Sequence, residues 1–204
     1  MGDEPVFDSG LLLAGDIDPD NVRRQLSRWT STGRLYQMRR GLYSLAPPYQ
    51  VTKPHPFLVA NRMVSGSYVS LQSALAYYNL IPEYVPIVLS VTSDRPNTWE
   101  TPLGKFGYRH IKSSYLHGYR LQPLDRNHSA FIALPEKALL DLVYLTPAGD
   151  EFDYLRSLRL QNLEQLELAR LDEMTAIFDR PKIARAAQAI RVLRAEEIES
   201  TETL

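Results

Sequence analysis

A helix signal followed at once by a hairpin signal is the feature that most restricts the fold of this chain. Asp18 stands directly before Pro19, which joins a good N-cap residue to the residue preferred at the first helical position. The helix is predicted to run to about Ser31 and to stop near Gly33. Three of its apolar residues share one face, and we expect that stripe to pack in the core. The stripe consists of Val22, Leu26 and Trp29.

Two short strand-like runs come next, at residues 34–38 and 42–45, and Arg39-Arg40-Gly41 separates them. Two strands joined by a short loop that ends in glycine are typical of a β-hairpin, because glycine adopts the positive φ angle that such a loop needs. The loop is then expected to carry two adjacent arginines. A helix followed by a hairpin with a basic tip is the order of a winged helix, which we predict for residues 1–48.

Residues 54–204 are predicted to form a mixed α/β domain with a helical C-terminus, so the whole chain is expected to be an α+β protein. Ser70 is predicted to cap the helix that follows it. Helices are predicted at residues 7–14, 19–31, 56–63, 71–79, 135–145, 163–171, 172–178 and 181–197. Strands are predicted at residues 34–38, 42–45, 68–69, 85–91, 106–111 and 131–133.

The net charge of −1 hides an uneven distribution along the 204 residues. Residues 1–20 carry six Asp or Glu and no Lys or Arg, whereas residues 21–134 carry 14 Lys or Arg and four Asp or Glu. Residues 135–204 are acidic on balance. A basic block of this kind is typical of a nucleic-acid binder with a second, protein-facing region, although an uneven solvated surface produces the same pattern.

Composition excludes several classes of site. The chain has no cysteine, which rules out disulfides, thiolate zinc sites and cysteine nucleophiles. Its four histidines show no close helical ligand spacing, so we expect no metal and no cofactor. No apolar run reaches the ~18 residues that a membrane helix needs. The acidic start lacks the apolar core of a signal peptide, which favours a cytoplasmic protein.

The predicted helix places Asn21, Arg24 and Arg28 on the side opposite the apolar stripe, with Arg23 and Ser27 on its flank. Arginine can donate two hydrogen bonds to guanine in the major groove, and asparagine can pair with adenine. Arginines at a hairpin tip suit phosphates or a minor groove, although the same side chains are also typical of a merely solvated surface. The candidate DNA-binding residues are Asn21, Arg23, Arg24, Ser27, Arg28, Arg39 and Arg40.

Motifs for catalysis are missing from the sequence. There is no glycine-rich phosphate loop and no Gly-x-Ser-x-Gly turn of a hydrolase. Glu136 and Lys137 are adjacent where a nuclease core would separate them by one residue, and an acidic residue is in any case favoured at a helix N-terminus. We therefore expect no enzymatic activity. A nuclease that uses Glu136 or Asp141 is the alternative within the class of enzymes.

Four segments, in the same order along the chain, resemble a known family. The more specific two are residues 68–77, Tyr-Val-Ser-Leu-Gln-Ser-Ala-Leu-Ala-Tyr, and residues 135–141, Pro-Glu-Lys-Ala-Leu-Leu-Asp. The others are residues 29–43 and residues 158–162 with the later Pro181-Lys182. Together they resemble the AbiEi family of antitoxins, which are also described as viral-defence transcriptional regulators.

The resemblance implies a two-part protein. Its N-terminal winged helix, with a recognition helix at residues 19–31 and a wing at residues 35–45, would bind inverted repeats in its own promoter and repress it. Residues 54–204 would counteract a nucleotidyltransferase-type toxin, and whether the two proteins touch stays open. Since only 18 residues precede Pro19, the usual two helices before the recognition helix are shortened. We therefore expect either a monomer or a cooperative dimer on DNA.

A second hypothesis belongs to another class of function. In it the chain is a protein-binding module that neutralises a partner toxin without specific DNA binding. Weakened DNA binding on loss of the candidate arginines would favour the first hypothesis, whereas co-purification with the product of the neighbouring gene would favour the second.

Overall fold

The structure is a computed structural model that describes residues 5–13, 18–125 and 128–202, and it is a mixed α+β protein as predicted. The helices are α1 (Ser9–Leu12), α2 (Pro19–Ser31), α3 (Pro56–Met63), α4 (Leu71–Tyr77), α5 (Pro135–Leu145), α6 (Phe152–Ser157), α7 (Leu168–Phe178) and α8 (Pro181–Glu202). The strands are β1 (Phe7–Asp8), β2 (Leu35–Arg39), β3 (Leu42–Leu45), β4 (Tyr68–Val69), β5 (Ile87–Thr92), β6 (Asn97–Thr101), β7 (Gly104–His110), β8 (Tyr119–Pro123) and β9 (Ser129–Ala133). Two 3-10 turns lie at Ser113–Tyr115 and Leu163–Gln165.

The hairpin predicted after α2 is present, and a third strand extends it. β2 and β3 pair antiparallel, and β1 adds to the other side of β3 to give the order β1-β3-β2. The prediction of one helix over residues 7–14 is therefore wrong at its start, because Phe7 and Asp8 pair with Tyr43 and Leu42. Position 14 lies outside the described residues.

The hairpin loop is shorter than predicted. Arg39 is the last residue of β2 and pairs with Leu42, so the loop consists of Arg40 and Gly41 alone. The register shifts between Gln37 and Arg39, which is a β-bulge. Gly41 has a φ of +84°, the positive angle that the loop was predicted to need.

The larger sheet has six strands in the order β6-β7-β5-β4-β9-β8. β5 pairs in parallel with β7 and β4 in parallel with β9, while the other three pairs are antiparallel. The two edge strands, β6 and β8, were not predicted. Their side chains are largely exposed and lack the apolar run that identified the central strands.

The helices around this sheet differ from the prediction in three places. α6 was not predicted. The segment 163–171 begins as a 3-10 turn, and one helix, α7, then replaces the two that were predicted up to residue 178. Ser70 does precede α4, but its side chain makes no cap bond. It donates instead to Asp141 of α5, at 2.8 Å.

Two groups of apolar side chains hold the molecule together. A small cluster of Leu26, Leu35 and Tyr43 joins α2 to the three-stranded sheet. The main core lies around the large sheet and also includes side chains from the N-terminal part of the chain, namely Val6, Met38 and Leu42. The predicted division of the chain near residues 48–54 stays a prediction.

Trp29 is not a core residue, contrary to the prediction from its spacing. It is 39% exposed, whereas Leu26 on the same helix is 3% exposed. Of the three residues in the predicted stripe, Leu26 and Val22 belong to or pack against the small apolar cluster, and Trp29 does not. Within the described part of the chain, no helix is long and apolar enough to cross a membrane.

Candidate nucleic-acid interface

The polar candidates of α2 are all on the outside of the helix. Asp18 is the N-cap residue and accepts a hydrogen bond from the backbone N–H of Asp20 at 3.0 Å, as its position before Pro19 predicted. Leu26 packs on the small sheet, and this contact turns the remaining faces of the helix to solvent. The exposed candidates on α2 are Asn21, Arg23, Arg24, Ser27 and Arg28.

A groove of about 800 Å³ separates α2 from the hairpin. It brings Arg23 and Ser27 of the helix together with Arg40 of the hairpin loop. Asn21 does not line it. Asn21 lies instead at a smaller, mainly apolar depression of about 200 Å³ that Trp29 also lines. The helix candidates therefore face two different sides of α2.

Two of the arginines on α2 have acidic neighbours. Nη1 of Arg23 lies 2.8 Å from Oδ1 of Asp20, and Nη2 of Arg24 lies 3.8 Å from Oδ2 of Asp18. All four side chains are mostly exposed, so each pair contributes no more than about 1 kcal/mol and a phosphate can replace the carboxylate. Arg28 forms no ion pair with any part of the chain that the structure describes.

Arg39 and Arg40 differ in their surroundings. Arg40 is exposed at the loop and has no ion-pair partner among the described residues. Arg39 is 34% exposed, and its guanidinium donates to the backbone carbonyls of Arg40, at 3.1 Å, and Arg62, at 3.5 Å. Oδ1 of Asp8 lies 4.0 Å from Nη2 of Arg39. Two arginines were expected at the tip of the hairpin. Arg40 is at the tip, whereas Arg39 connects the hairpin to α3 by its hydrogen bond to Arg62.

A buried polar cluster that the sequence did not predict lies beside the six-stranded sheet. Lys137 and Asp141 are completely buried on α5 and form an ion pair. Oδ2 of Asp141 also accepts hydrogen bonds from the hydroxyls of Tyr68, at 3.0 Å, and Ser70, at 2.8 Å. Burial raises the pKa of Tyr68, and the carboxylate of Asp141 raises it further. Burial lowers the pKa of Lys137, while the same carboxylate opposes that change.

Glu136, beside this cluster, has a structural role. Its side chain is completely buried, and Oε1 accepts the backbone N–H of Glu167, directly ahead of α7, at 2.7 Å. Nη1 of Arg170 lies 3.7 Å from Oε2. The preference of a helix N-terminus for acidic residues explains why Glu136 stands at the start of α5. It did not predict that the Glu136 side chain is buried. Residues 135–141, which span nearly two turns of α5, are all buried.

The structure offers no cluster of metal ligands within residues 5–13, 18–125 and 128–202, since no three His, Asp or Glu side chains are placed to hold an ion. The polar groups of α5 are buried, whereas those of α2 and the hairpin loop are open to a large ligand. The second arrangement suits binding of an extended anion.

Comparisons with known proteins extend only to the fold. No protein-family model matches the chain, and no curated protein sequence matches it. The chain is similar to the crystal structure of the RV2827C protein from Mycobacterium tuberculosis, with a TM-score of 0.53 and 18% sequence identity. The match covers 92% of this chain and 72% of that chain. The two proteins therefore share a fold over most of this chain.

Proposed function

We propose that the chain is a DNA-binding transcriptional autorepressor and the antitoxin of a toxin–antitoxin system. In this proposal, residues 1–48 are a winged helix, with α2 as the recognition helix and the β2–β3 hairpin as the wing. The observation that carries the proposal is the exposure of Arg24 and Arg28 on α2, close in the chain to an exposed Arg40 at the hairpin loop. The antitoxin role rests on the resemblance to the AbiEi family.

The two sets of arginines are assigned different tasks. Arg24 and Arg28 lie one turn apart on the outer side of α2, a position from which forked guanidinium groups reach base edges in a major groove. Arg23 and Arg40 line the groove between helix and hairpin, where backbone phosphates would pair with Arg40 and replace Asp20 beside Arg23. Arg39 contributes less directly, because backbone carbonyls already accept from its guanidinium.

The experiment measures binding of the full chain to a labelled duplex from its own upstream region and to a scrambled duplex, over a range of salt concentrations. Arg24→Ala and Arg28→Ala should each cost about 1–3 kcal/mol on the native duplex and reduce the preference over the scrambled one. Arg40→Ala should weaken binding to both duplexes alike and lower the salt slope by about one unit.

Arg95→Ala is the matched control, since it removes an exposed arginine from another part of the molecule. It should leave both affinities unchanged. If Arg24→Ala, Arg28→Ala and Arg40→Ala bind both duplexes as the unmodified chain does, the DNA-binding proposal is refuted.

A protein-binding module without specific DNA binding is the second candidate, and one feature favours it. Tyr119 and Leu121 of β8 and Phe131 of β9 lie on one face at the edge of the large sheet, because Leu121 is the direct partner of Phe131. They are 37%, 57% and 43% exposed, respectively. Exposed apolar groups at a sheet edge are typical of a protein contact.

Neutralisation of the toxin encoded next to this chain distinguishes the two candidates. The test uses the full chain in cells that express that toxin. If Arg24→Ala with Arg28→Ala abolishes promoter repression and leaves neutralisation intact, the chain has both roles. The second candidate replaces the first if two results are found together. The unmodified chain shows no specific DNA binding, and Leu121→Asp abolishes neutralisation of the toxin.

A further inference from the structure

A second groove, remote in sequence from α2 and the hairpin, has the composition of a small-molecule site. Its volume is about 600 Å³, which is within the range of pockets that hold small organic ligands. It lies between the start of α4, the end of α5 and the carboxyl end of β7. Six of its ten lining residues are apolar, namely Leu71, Leu89, Pro96, Leu142, Leu145 and Pro147.

Arg109 is the charged group of this groove. It is the second-last residue of β7, and both Arg109 and His110 line the groove. None of the described residues that line the groove is an Asp or a Glu, and Arg109 has no ion-pair partner in the described part of the chain. Arg109 is exposed, so its unpaired guanidinium is available to an anion from solution.

The remaining polar groups limit the kind of anion. Nδ1 of His110 donates to the backbone carbonyl of Asp94 at 3.1 Å, so Nε2 of the neutral ring is an acceptor and does not donate to an anion. The amide of Gln72 and the hydroxyl of Thr146 are the side-chain donors in the lining besides Arg109. One guanidinium and a few neutral groups match the single charge and two oxygens of a carboxylate, whereas a phosphate dianion usually requires several cations or a row of backbone N–H groups.

The shape of the groove depends on an unusual backbone angle. Leu71, the first residue of α4, has a φ of +55°, in the left-handed region that a branched side chain rarely adopts. This conformation sets the direction of the Leu71 side chain, which is 3% exposed, at one wall of the groove. Residues held in such angles are concentrated at binding sites.

We propose that this groove binds a small organic monocarboxylate with an apolar body. The carboxylate pairs with the guanidinium of Arg109, and the body lies against the leucines of α4, β5 and α5. The proposal concerns a ligand of the groove between α4, α5 and β7, and it does not depend on DNA binding by α2.

The test is a titration of the 15N-labelled full chain with three probes, 3-phenylpropionate, 4-methylpentanoate and indole-3-acetate, followed by amide chemical shifts and calorimetry. At least one probe should bind in the millimolar range or better and shift the resonances of Gln72, Arg109 and His110. The neutral amide of that probe, and acetate, should each bind at least about tenfold more weakly, because one lacks the charge and the other the apolar body.

Arg109→Gln should weaken binding of the same probe by about tenfold or more. Lys53→Gln is the control, since it removes an exposed cation that does not line the groove, and it should leave binding unchanged. The proposal fails if none of the three carboxylates binds at about 10 mM, which is the upper limit of such a titration. It also fails if the amide binds as well as the acid, or if Arg109→Gln binds as well as the unmodified chain.

Discussion

Lys137 and Asp141 lie one turn apart on α5 and form an ion pair with both side chains completely buried. The ammonium of Lys137 also lies 4.8 Å from the centre of the Phe178 ring and 5.5 Å from that of Tyr68. The carboxylate of Asp141 also accepts hydrogen bonds from the hydroxyls of Tyr68 and Ser70. The pair joins α5 to β4 and to the loop ahead of α4.

Removal of one member of this pair should strongly destabilise the protein. Lys137→Met leaves the carboxylate of Asp141 buried without its counter-charge, and we expect a loss of about 3–5 kcal/mol in the free energy of unfolding. Adding Asp141→Asn should recover about 1–3 kcal/mol, because no charge is then buried and the amide oxygen still accepts from Tyr68 and Ser70. Urea unfolding of the single and double variants measures both values. Strictly additive losses would contradict this account.

Two glycines with similar backbone angles should differ in their tolerance of a methyl group. Gly118 and Gly33 have φ angles of +69° and +70°. A Cβ at Gly118 would lie 2.8 Å from Cε of Met174 and 3.2 Å from Cβ of Lys137, whereas a Cβ at Gly33 would meet nothing within 4 Å. Gly33→Ala should cost about 1 kcal/mol for the backbone angle alone. Gly118→Ala should cost about 1–3 kcal/mol more, from overpacking, and thermal unfolding of the two variants compares them.

Replacement of Arg39 should lower the stability of the protein, whereas replacement of Arg40 should affect DNA binding and leave stability nearly unchanged. Arg39→Ala removes the hydrogen bonds to the carbonyls of Arg40 and Arg62, so we expect a loss of about 1 kcal/mol in stability. Arg40→Ala removes an exposed side chain that no described residue pairs with, and its stability should stay within about 0.5 kcal/mol of the unmodified chain. Chemical unfolding of both variants is the measurement. Equal stability of the two would show that the Arg39 contacts contribute nothing.

Acidification should destabilise the protein through its partly buried histidines. Burial lowers the pKa of His117 below its ordinary value of 6.5, and the nearby charge of Lys137 lowers it further. Burial also lowers the pKa of His55. As the pH falls below 6.5, the unfolded chain takes up protons that the folded chain does not, so the free energy of unfolding decreases until the lowered folded pKa is reached.

The variant His117→Gln should make the stability less sensitive to pH in that window. The matched measurement is unfolding by urea at pH 7.5 and at successive lower values for both proteins. A pH dependence that is unchanged in His117→Gln would show that His117 titrates alike in the folded and unfolded chains.

Local signals in the sequence were sufficient for α2 and the hairpin. Asp18 before Pro19 defines where the helix begins, and Gly41 supplies the positive φ of the loop, so neither element depends on the rest of the chain. The exposure of Arg24 and Arg28 followed from the same helical periodicity. Periodicity alone did not determine that Trp29 is exposed, because that depends on how many side chains cover α2.

Features that depend on distant partners could not be predicted. Tyr68 and Asp141 are 73 residues apart, and no local pattern links their hydrogen bond. The edge strands β6 and β8 carry exposed polar residues and become strands because β7 and β9 pair with them. The groove at Arg109 likewise results from β7, α4 and α5 meeting in space.

The sharing of the main core by Val6, Met38 and Leu42 has a mechanical consequence for the proposed repressor. These side chains pack the small sheet into the main core, and Leu26 packs α2 on that sheet, so we expect α2 and the body to move together. Two copies seated on successive half-sites, about 34–36 Å apart along the duplex, would have to fit their entire bodies side by side. Collision between those bodies, rather than the reach of α2, then selects the operator spacings that the protein accepts.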